Sequence, residues 1–317
     1  MPHAFRFGVQ EAVLPAPGWQ ARVRQIEELG YSTLLVPDHF GPQWEPIAML
    51  AAAAAVTERL HVGSLVFGVD YRHPVVLAKA AATLQLLSGG RFEFGLGAGW
   101  MQSDYDEAGI PCDPPPTRIE RLDEALRVIR SLWNEPTTDF DGRHYQLRGA
   151  QGAGALPAAG APRVFVGGGG PRVLRLAGRH ADIVGINPVL KEGRITAASA
   201  ADLAPDRVLQ KVGWIREGAE AAGRDPASIE LNALVTELHV SDDPGVARRR
   251  IAEAHGMSEA GVAGCPMYLT GSLAEIHDRI AQRREETGIS YLILVDTGEP
   301  RLVERFAEQI VQPLRGK

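Results

Sequence analysis

The chain has 317 residues, and its 33 lysines and arginines against 39 aspartates and glutamates give a formal net charge of −6. No basic run exceeds Arg248-Arg249-Arg250, so we expect neither a nucleic-acid nor a membrane partner and favour a small-molecule ligand. The two cysteines, Cys112 and Cys265, form no C-x-x-C motif, which excludes a disulfide framework and favours a reducing, cytoplasmic location.

The first residues and the most apolar segment both argue against an export signal or a membrane span. Phe5–Gln10 has the pattern of a strand, and no basic segment followed by an apolar core precedes it. The longest apolar run, Pro46 to Val56, is mostly alanine and about half as long as a membrane span, so we predict a buried helix. No linker rich in proline and serine divides the chain, and one domain over residues 1–317 is expected.

Predicted strands and helices alternate along the chain. Strands are expected at Phe5–Gln10, Thr33–Val36, from Leu60 onward, Arg91–Trp100, Arg163–Val166, Asp182–Ile186, within Glu230–Val240 and at Tyr291–Asp296. Helical patterns follow them at Gly18–Leu29, Glu45–Thr57, from Pro74 to Leu87, Arg118–Trp133, Pro171–Gly178, Asp206–Ala222 and Arg301–Val311. Eight strands with helices behind them fit an α/β fold of the (β/α)8 TIM-barrel type better than an open sheet.

Irregular insertions are expected near residues 101–117, 136–162 and 241–288. The first is predicted to be a long loop that ends at Pro116. The second combines a hairpin at Asp141-Gly142 with a segment rich in glycine, alanine and proline from Gly149 to Pro162, which either covers the site or only decorates the surface. The third contains two extra helices near Val246–His255 and Ser272–Thr287, which we interpret as elaborations of the barrel.

The fourth strand thins toward its C-terminal end. Phe92, Phe94 and Leu96 alternate with Glu93, Gly95 and Gly97, so one face carries large side chains and the other none. Glycine weakens a strand unless something approaches its backbone closely. We therefore predict that a flat ligand lies against this bare face.

Asp38 and His39 follow the second strand, at the rim where barrel enzymes assemble their chemistry. An imidazole at this position can accept or return a proton near neutral pH. The alternative is a histidine that only caps a loop, and position alone does not separate the two interpretations.

Four consecutive glycines, Gly167 to Gly170, follow the fifth strand and precede Pro171 and Arg172. Backbone amides of such a turn can surround a phosphate, the following helix N-terminus adds favourable partial charge, and Arg172 adds a full charge. The alternative is a flexible turn. Neither this run nor Gly95–Gly99 is a dinucleotide fingerprint, because the spacing and the following residues do not fit.

Trp44 and Trp100 lie just past the second and fourth strands, where they either flank a planar ring in the substrate pocket or pack against the core. The nine histidines are scattered without metal-ligand spacing, so no metal site is predicted.

Several motifs together resemble the luciferase-like monooxygenase superfamily, and within it the branch that uses the deazaflavin coenzyme F420. The resemblance covers nearly the whole chain, and the motifs that carry it are Gly30-Tyr31, Val36 to Phe40, Arg72-His73-Pro74, Ser88 to Trp100, Gly167 to Pro171, and Ala181-Asp182. The resemblance implies a (β/α)8 barrel, usually a homodimer, which holds F420 or FMN across its rim with the ring over strands three and four.

The resemblance also implies roles for individual residues. Asp38 and His39 would contact the ring region, and His39 matches the proposed general base of F420-dependent sugar-phosphate dehydrogenase. Strand three would carry a bulge with a non-proline cis peptide within Ser64-Leu65-Val66, behind the ring. The remaining cofactor contacts would come from Gly97, Ala98 and Gly99 and from the turn Gly167, Gly168, Gly169 and Gly170 with Arg172.

The chain departs from that dehydrogenase at Trp100, which replaces a glutamate and cannot donate a carboxyl proton. Our hypothesis is therefore hydride transfer between C5 of F420 and a small organic substrate, with His39 managing the accompanying proton. Reduction of a C=C or C=N bond is favoured over alcohol oxidation. The main alternative is an FMN-dependent monooxygenase, and a second is a flavin-binding barrel without catalysis.

Overall fold

A closed barrel of parallel strands forms the centre of the protein in a computed structural model that describes residues 3–152, 156, 160–190, 199, 201–299 and 301–317. The strands are β1 Arg6–Gln10, β2 Thr33–Val36, β3 His61–Ser64, β4 Phe67–Gly68, β5 Phe92–Gly97, β6 Thr137–Asp141, β7 Gln146–Gln151, β8 Arg163–Gly168, β9 Ile183–Ile186, β10 Glu230–Val235, β11 Glu237–Val240, β12 Tyr268–Gly271 and β13 Ile289–Val295. Their order around the barrel is β3-β2-β1-β13-β10-β9-β8-β5, and β5 pairs with β3 to close the ring. The predicted (β/α)8 fold is confirmed.

Helices surround this ring. Within the described residues they are α1 Trp19–Glu28, α2 Pro46–Ala55, α3 Pro74–Leu87, α4 Gln102–Ala108, α5 Pro115–Asn134, α6 Pro171–His180, α7 Pro205–Ala221, α8 Gly245–His255, α9 Glu259–Gly264, α10 Leu273–Thr287, α11 Leu302–Phe306 and α12 Gln312–Leu314, with a wide π-helical turn at Ala307–Val311 between the last two. None of them combines the length and the apolar character that crossing a membrane would need.

Three segments differ from the sequence-based predictions. The expected loop before Pro116 contains α4, because Asp104 and Tyr105 bury their side chains through contacts with distant residues instead of an apolar repeat. The predicted seventh strand is divided into β10 and β11. Helix α10 contacts both β13 and α7, so it belongs to the outer ring of helices and is not an elaboration.

The insertions contain small sheets of their own. Strands β6 and β7 form the predicted antiparallel hairpin at Asp141-Gly142, whereas β11 and β12 pair in parallel beside the barrel. In the glycine- and alanine-rich segment, residues 153–155 and 157–159 lie outside the described residues, so its predicted irregular conformation is not addressed there.

Apolar packing occurs on both sides of the barrel wall. Between the strands and helices, α5 buries the four residues that its periodicity predicts: Leu122, Leu126, Ile129 and Leu132. Inside the barrel, Leu35, Phe165, Tyr291 and Ile293 form a separate buried cluster. This inner cluster fills the middle of the barrel and leaves its C-terminal end open.

The N-terminal end of the barrel is closed by charged side chains. Arg6 donates through Nε and Nη2 to the two carboxylate oxygens of Glu230, at 2.9 Å each, and through Nη1 to Glu93. Arg163 pairs with Glu230 at 3.0 Å, and the side chain of Glu93 is only 1% exposed. Burial alone would raise the pKa of Glu93, but the attraction and hydrogen bond of Arg6 hold that pKa below its ordinary value.

Arg6→Met leaves the buried carboxylate of Glu93 without its main cation. Removing one partner of a buried pair costs about 3–5 kcal/mol, so we expect a loss of that order in the free energy of unfolding at pH 7, measured with urea. The matched control is Arg59→Met, since the side chain of Arg59 is 72% exposed and lies 4.0 Å from Glu27. An exposed pair of this kind is worth roughly 0–1 kcal/mol.

The stabilisation by the Arg6–Glu93 pair depends on pH. Because Arg6 lowers the pKa of Glu93 in the folded protein, the pair stabilises the fold at pH values above the unfolded-state pKa of Glu93. This stabilisation is lost as the pH falls through the folded-state pKa. In Arg6→Met, burial instead favours the protonated carboxyl, so the variant gains stability as the pH falls. The difference between wild type and variant should shrink toward acid. An equal difference at all pH values would contradict this explanation.

Candidate functional site

A cavity of about 1720 Å³ opens at the C-terminal ends of the barrel strands. Ligand pockets in proteins usually measure roughly 300–1,000 Å³, so this one has room for a cofactor together with a second molecule. Barrel enzymes place their active sites at this same end, on the loops that follow the strands.

The cavity brings together most of the residues that the sequence singled out. Those that line it are Asp38, His39, Leu65, Val66, Gly97, Ala98, Gly99, Trp100, Gly167, Gly168, Gly169, Gly170 and Arg172. Two predicted residues are not among its lining: Ser64, which is fully buried, and Trp44, which is partly buried and packs against the core.

Trp44 packs against the core and does not line the cavity, and its backbone is bonded to a different loop. Its N–H donates to the carbonyl of Ala12 at 3.3 Å, which holds the segment next to the loop after β1. The prediction of Trp44 as a substrate-pocket residue is therefore not supported by its position. Trp100 does line the cavity, and its ring meets the ring of His39 edge to face, with centroids 5.7 Å apart.

A bulge between β3 and β4 forms the floor of the cavity beside β5. The peptide bond between Leu65 and Val66 is cis, within the segment that the resemblance indicated. Ser64 fixes the bulge to β5, since its hydroxyl donates to the carbonyl of Gly95 at 2.9 Å and accepts from the N–H of Gly95 at 3.0 Å. The role of Ser64 is thus to support the wall from behind.

The glycines of β5 leave room for this bulge. A Cβ atom at Gly95 would lie 2.0 Å from the carbonyl oxygen of Ser64, and one at Gly97 would lie 2.6 Å from a methyl group of Val66. The sequence correctly predicts a close approach to this strand. The approaching group, however, is the neighbouring strand, whose Leu65 and Val66 then face the cavity.

Asp38 is fully engaged by protein groups. Arg72 donates to both of its carboxylate oxygens, at 2.6 and 3.1 Å, and the N–H of Gly68 donates to Oδ2 at 2.9 Å. The paired carboxylate therefore fixes the end of the bulge to the loop after β2. Arg72 reaches further, to Glu45 at 3.1 Å.

His39 is held by a carboxylate that the sequence did not reveal. Its Nδ1 lies 2.7 Å from Oδ2 of Asp104, whose side chain is 3% exposed. Tyr71 donates its hydroxyl to the same oxygen at 3.0 Å, and the N–H of Phe40 donates to Oδ1 at 3.3 Å. Burial and the Asp104 carboxylate raise the pKa of Tyr71 well above its ordinary value, so this phenol remains a donor.

The tetraglycine turn is braced from behind by a buried lysine. Lys211 on α7 has no exposed surface, and its Nζ donates to the carbonyl of Gly169 at 2.6 Å and to Asp202 at 2.7 Å. Asp202 also accepts from the N–H of Val189 at 2.8 Å, which joins the turn to the next rim loop. Burial lowers the pKa of Lys211, opposed by Asp202. A Cβ at Gly169 would lie 2.3 Å from the carbonyl oxygen of Pro188.

The positive charge at this end of the cavity comes from two arginines with different surroundings. Arg172 is about half exposed and pairs with Glu120 at 2.7 Å, so its charge is largely compensated. Arg118 is 8% exposed and donates to backbone carbonyls, at 2.8 Å to Asp113 and at 2.9 Å to Ala98. No carboxylate in the described residues forms an ion pair with it. Sequence reasoning missed Arg118, which lies inside a predicted helix with ordinary charge alternation.

The opposite wall comes from the insertion after β10. Glu237, His239 and Arg250 line the cavity there. Oε2 of Glu237 lies 2.8 Å from Nε2 of His239 and 2.7 Å from Nη2 of Arg250, and the two nitrogens are 2.7 Å apart. The hydrogen bond of His239 is the main cause that lowers the pKa of Glu237, with Arg250 contributing. This charged cluster gives the cavity a polar side. Strand β10, which precedes it, lies three places from β2, the strand before His39, in the barrel order.

The barrel, the bulged third strand and the glycine turn define a (β/α)8 protein with a large ligand site at its mouth. The profile of the luciferase-like monooxygenase family matches residues 15–291, and the chain belongs to this family.

Individual relatives share the fold over most of the chain. The F420-dependent glucose-6-phosphate dehydrogenase of Mycolicibacterium fortuitum is 34% identical over 69% of this chain, but the match spans only 62% of the length of that relative. The enzyme of the same name from Intrasporangium calvum is 30% identical over 94% of this chain and 98% of its own length. The F420-dependent tetrahydromethanopterin reductase of Methanopyrus kandleri superposes with a TM-score of 0.77 at 20% identity, covering 99% of this chain and 100% of that one, which is a likeness of fold.

Gly95→Ala should destabilise the protein through the bulge. The added methyl group would collide with the backbone of Ser64, which cannot move without shifting β3. Forced overpacking of this kind costs about 1–3 kcal/mol, measurable as a lower thermal midpoint. Gly41→Ala is the control, because a Cβ there meets nothing within 4 Å. Equal stability of the two variants would mean that β5 does not need its glycine for this contact.

Proposed function

We propose that the protein is an F420-dependent oxidoreductase that transfers a hydride between the deazaflavin and a small organic substrate. The observation that carries this proposal is the position of His39, anchored by Asp104, beside the bulge at Leu65 and Val66 in one large cavity. The family membership and the names of the two relatives above support the same cofactor.

The residues of the cavity fit the two chemically different parts of F420. The apolar surface of Leu65 and Val66, next to Ala98, suits the flat face of a ring system. The turn Gly167–Gly170 and the first turn of α6 offer backbone N–H groups to the anionic tail, and Arg118 adds a positive charge that no carboxylate compensates in the described residues. Lys211 holds the turn in place.

In its reduced form, bound F420 would supply a hydride from C5 of its ring to the substrate. His39 then provides the proton that balances this transfer, through Nε2, since Nδ1 is occupied by Asp104. Asp38 and Arg72 keep the bulge in position, and Trp100 flanks His39 at the cavity. In this direction, one substrate atom receives the hydride and its neighbour receives the proton.

We favour an activated C=C or C=N bond as the substrate group. Trp100 beside His39 offers no carboxyl group, so we assign the proton to His39, and reduction of such a bond needs only one proton donor. A cytoplasmic homodimer is part of this proposal, and sedimentation analysis of the purified chain would test the assembly.

Cofactor binding can be tested by fluorescence titration of the purified protein with F420 and with FMN. We expect F420 to bind in the micromolar range or tighter, and Arg118→Met to weaken that binding by about tenfold, the effect of losing about 1.4 kcal/mol from a charged hydrogen bond. Arg172→Met is the matched control, since Arg172 is half exposed and paired with Glu120. Binding of FMN alone would contradict the F420 assignment.

A fragment of F420 that keeps the ring and the ribityl chain but lacks the phosphate-bearing tail separates the two halves of the site. Arg118→Met should weaken binding of F420 and leave binding of the fragment unchanged. An equal loss for both ligands would place Arg118 at the ring and not at the tail.

His39→Ala should retain F420 binding and lose turnover. General acid–base catalysis contributes about 10²–10⁴-fold, so we expect a decrease of that order in kcat for a reducible substrate found by screening activated alkenes and imines. Full turnover by a variant that binds F420 normally would exclude the proton role of His39 and would favour a histidine that only shapes the loop.

A further inference from the structure

The side chain of Asp104 is buried, although the residue lies on a short helix at the rim of the barrel, where acidic side chains are usually exposed. It lies in the first turn of α4, and the residue is 2% exposed. Its neighbours Ser103 and Asp106 on the same helix are exposed. A buried carboxylate needs hydrogen bonds to compensate its loss of hydration, and Asp104 has three, two from the loop after β2 and one from the loop before α3.

Those three hydrogen bonds have different chemical consequences. The N–H of Phe40 binds Oδ1 and fixes the carboxylate relative to the loop after β2. The hydroxyl of Tyr71 binds Oδ2 from the loop before α3. The remaining bond, at 2.7 Å, joins Oδ2 to Nδ1 of His39. Because a carboxylate only accepts, the proton of this bond belongs to Nδ1.

We infer that Asp104 is the positioning residue of His39, holding the imidazole in the tautomer whose bare Nε2 faces the cavity and stabilising the imidazolium when Nε2 takes up a proton. This inference rests on the proposed function, in which His39 moves the proton. A neutral histidine with its proton on Nε2 has no lone pair in the cavity with which to take up a second proton. Without Asp104 the same ring would therefore be poorly prepared to form the imidazolium that donates to the substrate.

The surroundings of His39 leave Asp104 as the group that controls its charge. Asp38, the preceding residue, is paired with Arg72. Tyr71 keeps its proton and donates to Asp104. Tyr105, the next residue on α4, donates to Asp70 at 2.7 Å, and Arg121 pairs with the same aspartate, so this second network is separate from His39. Trp100 contributes only a ring edge.

Asp104→Asn is the central variant, since it preserves size and removes the charge. We expect kcat to fall about 100-fold, within the range of acid–base contributions, and the midpoint of the kcat–pH profile to move toward acid because the imidazolium has lost its counter-charge. The dissociation constant of F420 should stay within about twofold of wild type, as expected for a residue that acts in the chemical step. Asp104→Glu should restore part of the lost turnover.

The control is Asp106→Asn, on the same helix. Asp106 is exposed and accepts a hydrogen bond only from Gln102 at 2.9 Å among the described residues, so this change tests whether any lost charge on α4 affects turnover. Tyr71→Phe is the second variant. It removes one donor to Asp104 while keeping the bond to His39, and it should therefore reduce kcat much less than Asp104→Asn without changing the tautomer.

A measurement on the protein without cofactor decides the inference independently of turnover. With ¹⁵N-labelled histidine, two-bond nitrogen–proton correlation spectra distinguish protonated from bare ring nitrogens, and His39→Gln assigns the signal. We expect a proton on Nδ1 in wild type at neutral pH and a mixture of tautomers in Asp104→Asn. A proton on Nε2 in wild type, or the same tautomer in both proteins, would overturn the inference.

Failure of the proposed function has a different signature. If wild type bound no F420, the cofactor assignment would be wrong, while the NMR experiment would still decide how Asp104 acts on His39. If wild type turned over and Asp104→Asn kept full kcat with an unchanged pH profile, the positioning role would be wrong and the proposed function would stand.

Discussion

The close contact between the bulged third strand and β5 is the constraint on which the site depends. It requires the absence of a side chain at Gly95 and Gly97, because the backbone of Ser64 and the side chain of Val66 occupy that space. Once the bulge is seated, Leu65 and Val66 face the cavity, and the N–H of Gly68 is left pointing at Asp38. Asp38 in turn binds Arg72. The contact between the bulge and β5 therefore positions several residues of the rim.

The charged pairs that stabilise the barrel and the cavity that would bind ligands lie at opposite ends of the barrel. Charges at the N-terminal end, centred on Arg6, Glu93 and Glu230, are paired with one another, and none of these three residues is among those that line the cavity. At the other end, the turn after β8 and the loop after β2 keep polar groups exposed to a ligand. This division is typical of barrel enzymes, in which loops at the C-terminal face vary while the rest supports them. Because the rim loops are separate from the rest of the barrel, a residue such as Trp100 can vary there without disturbing the fold.

The structure brings residues singled out by the sequence to one cavity but gives some of them unexpected partners. His39, the bulge at Leu65 and Val66 and the tetraglycine turn all line that cavity. The glycines of β5 were interpreted as room for a ligand, whereas they accommodate a neighbouring strand. Helix α4 was missed because its buried residues are polar, and with it Asp104, which is 65 positions from His39. Lys211 was missed for the same reason, since its partner Gly169 is 42 positions away.

The sequence by itself determined the alternation of strands and helices, the number of barrel strands and the ends of the strands where ligands would bind. These properties follow from hydrophobic periodicity and turn residues, which act between near neighbours in the chain. Only the tertiary structure decided that Asp104 faces His39, that Trp44 leaves the cavity and that Arg118 enters it. Such pairings depend on how the closed ring sets the register of its strands, and that register brings together residues for which no local pattern exists.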